Sequence, residues 1–187
     1  MSSNTVSRIK SLLAAPEPPA LGPSARPNTL AETALLTALD DLLPEASLSV
    51  TRQRLVRALL LLWHDLLDAS HTISQSIENA DGSLVHAIMH RREPDYWNSK
   101  YWWRRVGKHP CFPELARRVT ELLRSGGERD LAAKLVPRGE WDAFAFVDAC
   151  EVGADLPASD ERVRLLREVQ RIESEVVLEH FLNDQAH

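Results

Sequence analysis

Two cysteines and seven glycines are all that the 187 residues contain, and each scarcity closes off an architecture. Cys111 and Cys150 are too few for a disulfide framework and fit a reducing compartment. Glycine this sparse leaves no Gly-rich phosphate loop, and neither a CxxC pair, a GxSxG elbow nor an HExxH helix is present. The longest uninterrupted apolar run, 58–63, is six residues, against the ~20 that span a bilayer. The N-terminus carries no basic segment followed by a long apolar one, so neither a secretory signal nor a membrane partner is expected, and the location implied is cytoplasmic. A net charge of −5 speaks against nucleic acid as a partner of the whole protein. Strand patterning and internal repeats are also absent, and β-branched residues are few.

What remains is helix-forming material, rich in Leu, Ala, Arg and Glu. The expected fold is all-α, a single-domain multi-helix bundle with an extended Pro-rich N-terminal arm. That arm is residues 1–28, a short helix with Val6, Ile9, Leu12 and Leu13 on one side, then five prolines within 16–27 that forbid helix and favour extended chain. The helical domain is 29–187. Thr29 and Glu32 have capping-box spacing for its first helix, which Pro44 should end. A long helix is expected over about 51–79, a tight turn at 80–82, and a short helix from 84 to about 92 capped by Ser83. Another follows from Pro94 to near Gly107. Further helices are expected near 113–125, 128–136 and 140–152, and a last one runs from Ser159 or Asp160 to about Asn183.

One stretch departs from the acidic, leucine-rich background. Positions 86–110 read HAIMHRREPDYWNSKYWWRRVGKHP and hold three His, six Lys or Arg, three of the five Trp and both Tyr. His86 and His90 are spaced i, i+4, which sets two imidazoles on one helix face and is the spacing helical metal sites use. On the preceding helix His64, Asp68, His71, Gln75 and Glu78 share a line opposite an apolar stripe. A short αα-hairpin would bring His71 level with His90 and leave His86 nearer Gln75 and Glu78. The metal-ligand set expected is therefore His71, His86, His90 and Glu93, with Glu78 and Asp95 as general bases. The ion would be Zn²⁺, Fe²⁺, Mn²⁺ or Ni²⁺. A metal-free buried hydrogen-bonded network and a solvated polar stripe are the competing accounts.

After Pro94 the stretch is aromatic and basic. Arg91, Arg92, Tyr96, Asn98 and Trp102 are the expected substrate-binding residues, suited to a small polar or anionic molecule. The plainer account is an aromatic core with guanidinium groups stacked on it. The function expected is hydrolase-like or isomerase-like metal chemistry. The alternatives are a non-enzymatic pocket for a sugar or anionic metabolite, and a protein-interaction module whose Trp97–Trp103 surface docks a partner or forms a homodimer.

The pattern His86-x3-His90-Arg91-x-Glu93-x-Asp95-Tyr96-x-Asn98-x-x-Tyr101-Trp102 resembles the signature of a family of uncharacterised bacterial and fungal helical proteins. The resemblance covers about 25 residues closely and implies no activity. More broadly the arrangement is similar to helical metalloproteins that place His and carboxylate ligands on adjacent helices.

Overall fold

The computed structural model describes residues 3–183. Among the described residues the chain is all-α, with ten helices and no strand. In order these are α1 (Ser3–Ser11), α2 (Glu32–Leu42), α3 (Val50–Trp63), α4 (Leu67–Ser74), α5 (Ala80–Arg92), α6 (Tyr96–Val106), α7 (Phe112–Ser125), α8 (Arg129–Leu135), α9 (Ala143–Ala154) and α10 (Glu161–Leu182). No helix is long and apolar enough to cross a membrane, among the described residues.

Short polar side chains start several of these helices by occupying first-turn N–H groups that have no carbonyl partner. Ser49 accepts from Arg52 N at 3.2 Å, Asn79 from Gly82 N at 2.8 Å, Asp95 from Asn98 N at 3.2 Å and Asp142 from Ala145 N at 2.9 Å. Two expected caps fail. Thr29 donates its hydroxyl to the Arg26 carbonyl, and α2 begins after Ala31 with no side-chain cap, so the Thr29–Glu32 capping box does not form. Asn79 takes the role expected of Ser83, and 80–82, expected as a tight turn, is the first turn of α5. Gly82 is needed there for space: a Cβ would lie 2.1 Å from the Ile77 carbonyl oxygen.

The expected single helix over 51–79 is two helices. Asp65 takes a left-handed φ of 67°, with Leu66 N–H donating to Leu61 O at 3.0 Å and Asp65 N–H to Leu62 O at 3.2 Å. This is a Schellman stop with aspartate where glycine is usual. The αL cost is one Asp bears better than most residues, and its carboxylate is doubly engaged. Arg26 donates to Oδ2 at 2.9 Å and Arg92 to Oδ1 at 2.6 Å. Burial pushes the Asp65 carboxyl up, but the two guanidiniums outweigh it and hold it below the usual carboxylate range.

The Pro-rich segment forms no helix or strand and is bonded against the body. Arg26 also reaches the carbonyls of Glu17 and Trp63, and Arg167 and Gln170 of α10 donate to those of Pro18 and Pro19. His64, expected on the polar stripe, is consumed here. Its Nδ1 accepts from Leu30 N–H at 3.1 Å and its Nε2 donates to Leu12 O at 2.9 Å, stapling both ends of the segment to the end of α3.

At the centre lies α5, packed on α3, α4 and α6, with every residue from Gly82 to Arg92 buried. Its two arginines therefore need internal partners. Arg91, fully buried, donates to both carboxylate oxygens of Glu173 on α10, at 2.9 and 2.5 Å, and lies over the Phe146 ring. Arg92 is committed to Asp65 and the Leu62 carbonyl. A buried pair of this kind stabilises little over an apolar pair, yet losing one partner strands a charge. Arg91→Met or Glu173→Met alone is expected to cost roughly 3–5 kcal/mol in denaturant unfolding, while the double Arg91→Met/Glu173→Met recovers most of the loss. A double variant as unstable as the sum of the singles would contradict this account.

Candidate functional site

The second half of α5 presents His86 and His90 one turn apart, and the short 75–79 connection returns His71 of α4 beside them. Ring centroids lie 4.7 Å apart for His71–His86, 4.7 Å for His86–His90 and 5.3 Å for His71–His90. One ligand-capable nitrogen from each ring lies within 4.8 Å of the other two. On the far side Trp102 of α6 stacks on His86 at 4.0 Å.

The three imidazoles are not equivalent. His90 is held from both sides: Nδ1 faces Glu93 Oε2 at 3.0 Å, and the Asn98 amide donates to Nε2 at 3.1 Å. That pairing assigns the proton to Nδ1 and leaves Nε2 with the lone pair. His86 is 3% exposed, and neither ring nitrogen has a hydrogen-bond partner among the described residues. Leaving such a group dry and unbonded costs on the order of 1–3 kcal/mol. Burial, then the positive charge that His90 and His71 would carry, pushes His86 down to about 3. Burial also lowers His90, against the raising influence of Glu93. His86 and His90 therefore stand as neutral imidazoles at neutral pH, the form that coordinates metals.

No protein-family model, curated protein or solved structure matches this chain. The chemistry of the site rests on its own geometry. The described residues hold two groups of His and Asp side chains placed closely enough to hold a metal ion: His71, His86 and His90, and a second one of Asp81, His109 and His180.

Several expected site residues lie elsewhere. Arg91 and Arg92 are not available to a substrate, because their guanidiniums are buried in the Glu173 and Asp65 pairs. Asp95 is the N-cap of α6, with Oδ1 on the Asn98 N–H, and its charge acts on His90 from outside the imidazole group. Glu78 is exposed in the connection after α4 and outside the imidazole group. Tyr96 sits against α9, where burial, then the Cys150 thiol and the Glu151 and Asp155 carboxylates, raise its phenol above the ordinary value. Glu93 is placed behind His90, in the orienting position that carboxylates take in carboxylate–histidine–metal arrangements, rather than among the convergent nitrogens. Asn98 and Trp102 do reach the cluster. Arg105, exposed, lies 5.1 Å over the Trp102 ring and touches none of the three imidazoles.

An open depression of about 390 Å³ is walled by Pro23, Glu32, Asp65, Leu67, Asp68 and Glu93, and meets the site at Glu93. A larger one, about 610 Å³, lies between 16–18 and the start of α10, and neither depression is lined by His71, His86 or His90.

The lowered His86 value sets a sign. A group whose folded pKa is depressed contributes its full share of stability above its unfolded pKa of ~6.5, and that share is lost as pH falls toward the folded value. Chelator-treated protein is expected to lose stability between pH 6.5 and 4, by up to roughly 1.4 kcal/mol per pH unit from this group. In His86→Phe, which keeps the ring stacked on Trp102, the loss over that interval should be visibly smaller in urea unfolding. Identical pH slopes for the two proteins would refute the assignment.

Proposed function

We propose that this protein binds one first-row divalent ion through His71, His86 and His90 and acts with it on a small polar or anionic substrate. The observation that carries the reading is His86, a buried imidazole with both nitrogens unbonded in the company of two more. A hydrogen-bonded structural network would satisfy such a ring, whereas a cation gives its lone pair a partner. Three imidazoles suit Zn²⁺, Fe²⁺, Ni²⁺ or Mn²⁺ and leave coordination positions for water or substrate.

When bound, such an ion supplies Lewis acidity and an acidified water, the basis of hydrolase-like or isomerase-like chemistry. The chain's own groups supply the rest. Glu93 fixes the His90 tautomer from the side of the ring away from the ion and so holds Nε2 in the coordinating form. The Asn98 amide, on His90 Nε2 in the free protein, turns to a substrate oxygen when that nitrogen coordinates. Trp102 covers one side of His86, and Arg105 lies over the Trp102 ring. A cytoplasmic setting belongs to the same reading, since both cysteines are unpaired thiols.

Elemental analysis of untagged protein tests this. His86→Ala and His90→Ala should each remove one metal equivalent relative to the unaltered chain while circular dichroism shows the helices retained. Glu93→Gln should keep the stoichiometry at saturating metal but weaken affinity about 10–100-fold, as loss of an orienting partner does. Metal content unchanged by both histidine substitutions would end the proposal.

A further inference from the structure

A second set of side chains converges at the opposite end of α5. Asp81, in its first turn, points Oδ1 at two imidazoles: His109 Nε2 at 2.9 Å, from the loop between α6 and α7, and His180 Nε2 at 3.1 Å, from the last turn of α10. The two rings stand edge to face at 4.8 Å. The other carboxylate oxygen, Oδ2, is taken by Arg52 of α3 at 3.1 Å. Burial pushes the Asp81 carboxyl up, but the two imidazoles and Arg52 outweigh it and leave the group ionised far below the usual range.

We propose that Asp81, His109 and His180 form a second, separate site for a divalent transition cation of the Zn²⁺, Co²⁺ or Ni²⁺ type. Two nitrogens and one carboxylate oxygen are a donor set for borderline first-row ions, not for Mg²⁺ or Ca²⁺. Bonds of ~2.0–2.2 Å to such an ion place neighbouring donors a few tenths of an ångström farther apart than these hydrogen bonds. A small opening of the cluster therefore admits the ion. His180 and Asp81 keep about a fifth of their side-chain surface open to solvent, so the opening falls on these two while His109, its side chain 1% exposed, stays in place.

The surroundings fit outer-shell roles. Arg52 orients the carboxylate through the oxygen that does not face the imidazoles. His109 Nδ1 lies 2.9 Å from Cys111 Sγ and receives the Cys111 N–H at 3.3 Å. When Nε2 gives its lone pair to a cation, the ring proton moves to Nδ1, where the sulfur accepts it in exchange for that long backbone contact.

The three donors come from segments 28 and 99 positions apart. An ion held there clips the start of α5 to the end of α10 and to the α6–α7 loop. It stabilises the folded chain by mass action, because the unfolded chain does not bring the donors together. This site is independent of the His71/His86/His90 reading, and the experiment separates them.

Untagged His86→Phe/His90→Phe protein, in which the first cluster is dismantled, is titrated with Zn²⁺ by calorimetry and melted with and without Zn²⁺. The expected result is one equivalent bound and a rise in Tm, both abolished or weakened at least tenfold by adding His180→Gln, at a partly exposed position. If that background does not fold, the same substitution is made in the unaltered chain, where it should remove one of two Zn²⁺ equivalents and leave the other. A background that binds no Zn²⁺, or stoichiometry and Tm shift untouched by His180→Gln and Asp81→Asn, would overturn the second site whatever the fate of the first.

Discussion

Burial of α5 on every side is the constraint around which the molecule is arranged. A helix in that position is ordinarily apolar all round, yet this one carries His86, His90, Arg91 and Arg92 in its second half. Each polar head taken from water needs a partner of opposite character. Three have one: Glu173 on α10 for Arg91, Asp65 at the α3–α4 corner for Arg92, and Glu93 at the helix's own end for His90. The fourth, His86, has two histidines and a tryptophan around it and no hydrogen bond. The exception stands out because Arg91, Arg92 and His90 each face a carboxylate, although the Nε of both arginines is also left without a partner among the described residues.

The same demand explains the course of the N-terminal third. Asp65 can meet Arg92 because the chain stops helix α3 there, and the left-handed turn aims its carboxylate inward. Arg26 then joins from the Pro-rich segment, and His64, one residue earlier, holds that segment at Leu12 and Leu30. A stretch without regular secondary structure is thereby locked down by side-chain bonds in place of a helix or sheet ladder. The path of 12–30, the break after α3 and the pairing of a buried arginine form one network, in which coupling between neighbours is the rule.

Helical periodicity and capping residues made the all-α class and most helix positions legible, because those signals are local: α7, α8, α9 and α10 follow the expected order closely. The break at Asp65 was not legible, because a left-handed aspartate carries no glycine or proline to announce it. The grouping of His71, His86 and His90 depended only on an i, i+4 spacing and a short connection, both properties of nearby residues. The fates of Arg91 and Arg92 depended on Glu173 and Asp65, and the Asp81 cluster on His180, 99 positions away. Spacing along the chain carries no record of such pairings.

By itself, then, the sequence determined that this chain is helical and that three histidines, both tyrosines and three of the five tryptophans fall within 86–110. The helical class follows from backbone propensity and from 3.6-residue periodicity, which act over a few turns. Only the tertiary structure decided which charges are structural and which imidazole is left unbonded. It also decided that Glu93 stands behind His90 and that a second histidine–aspartate group closes the other end of α5. Burial and dielectric belong to the packed whole, and they settle whether a polar side chain becomes an ion pair, a cap or a free ligand.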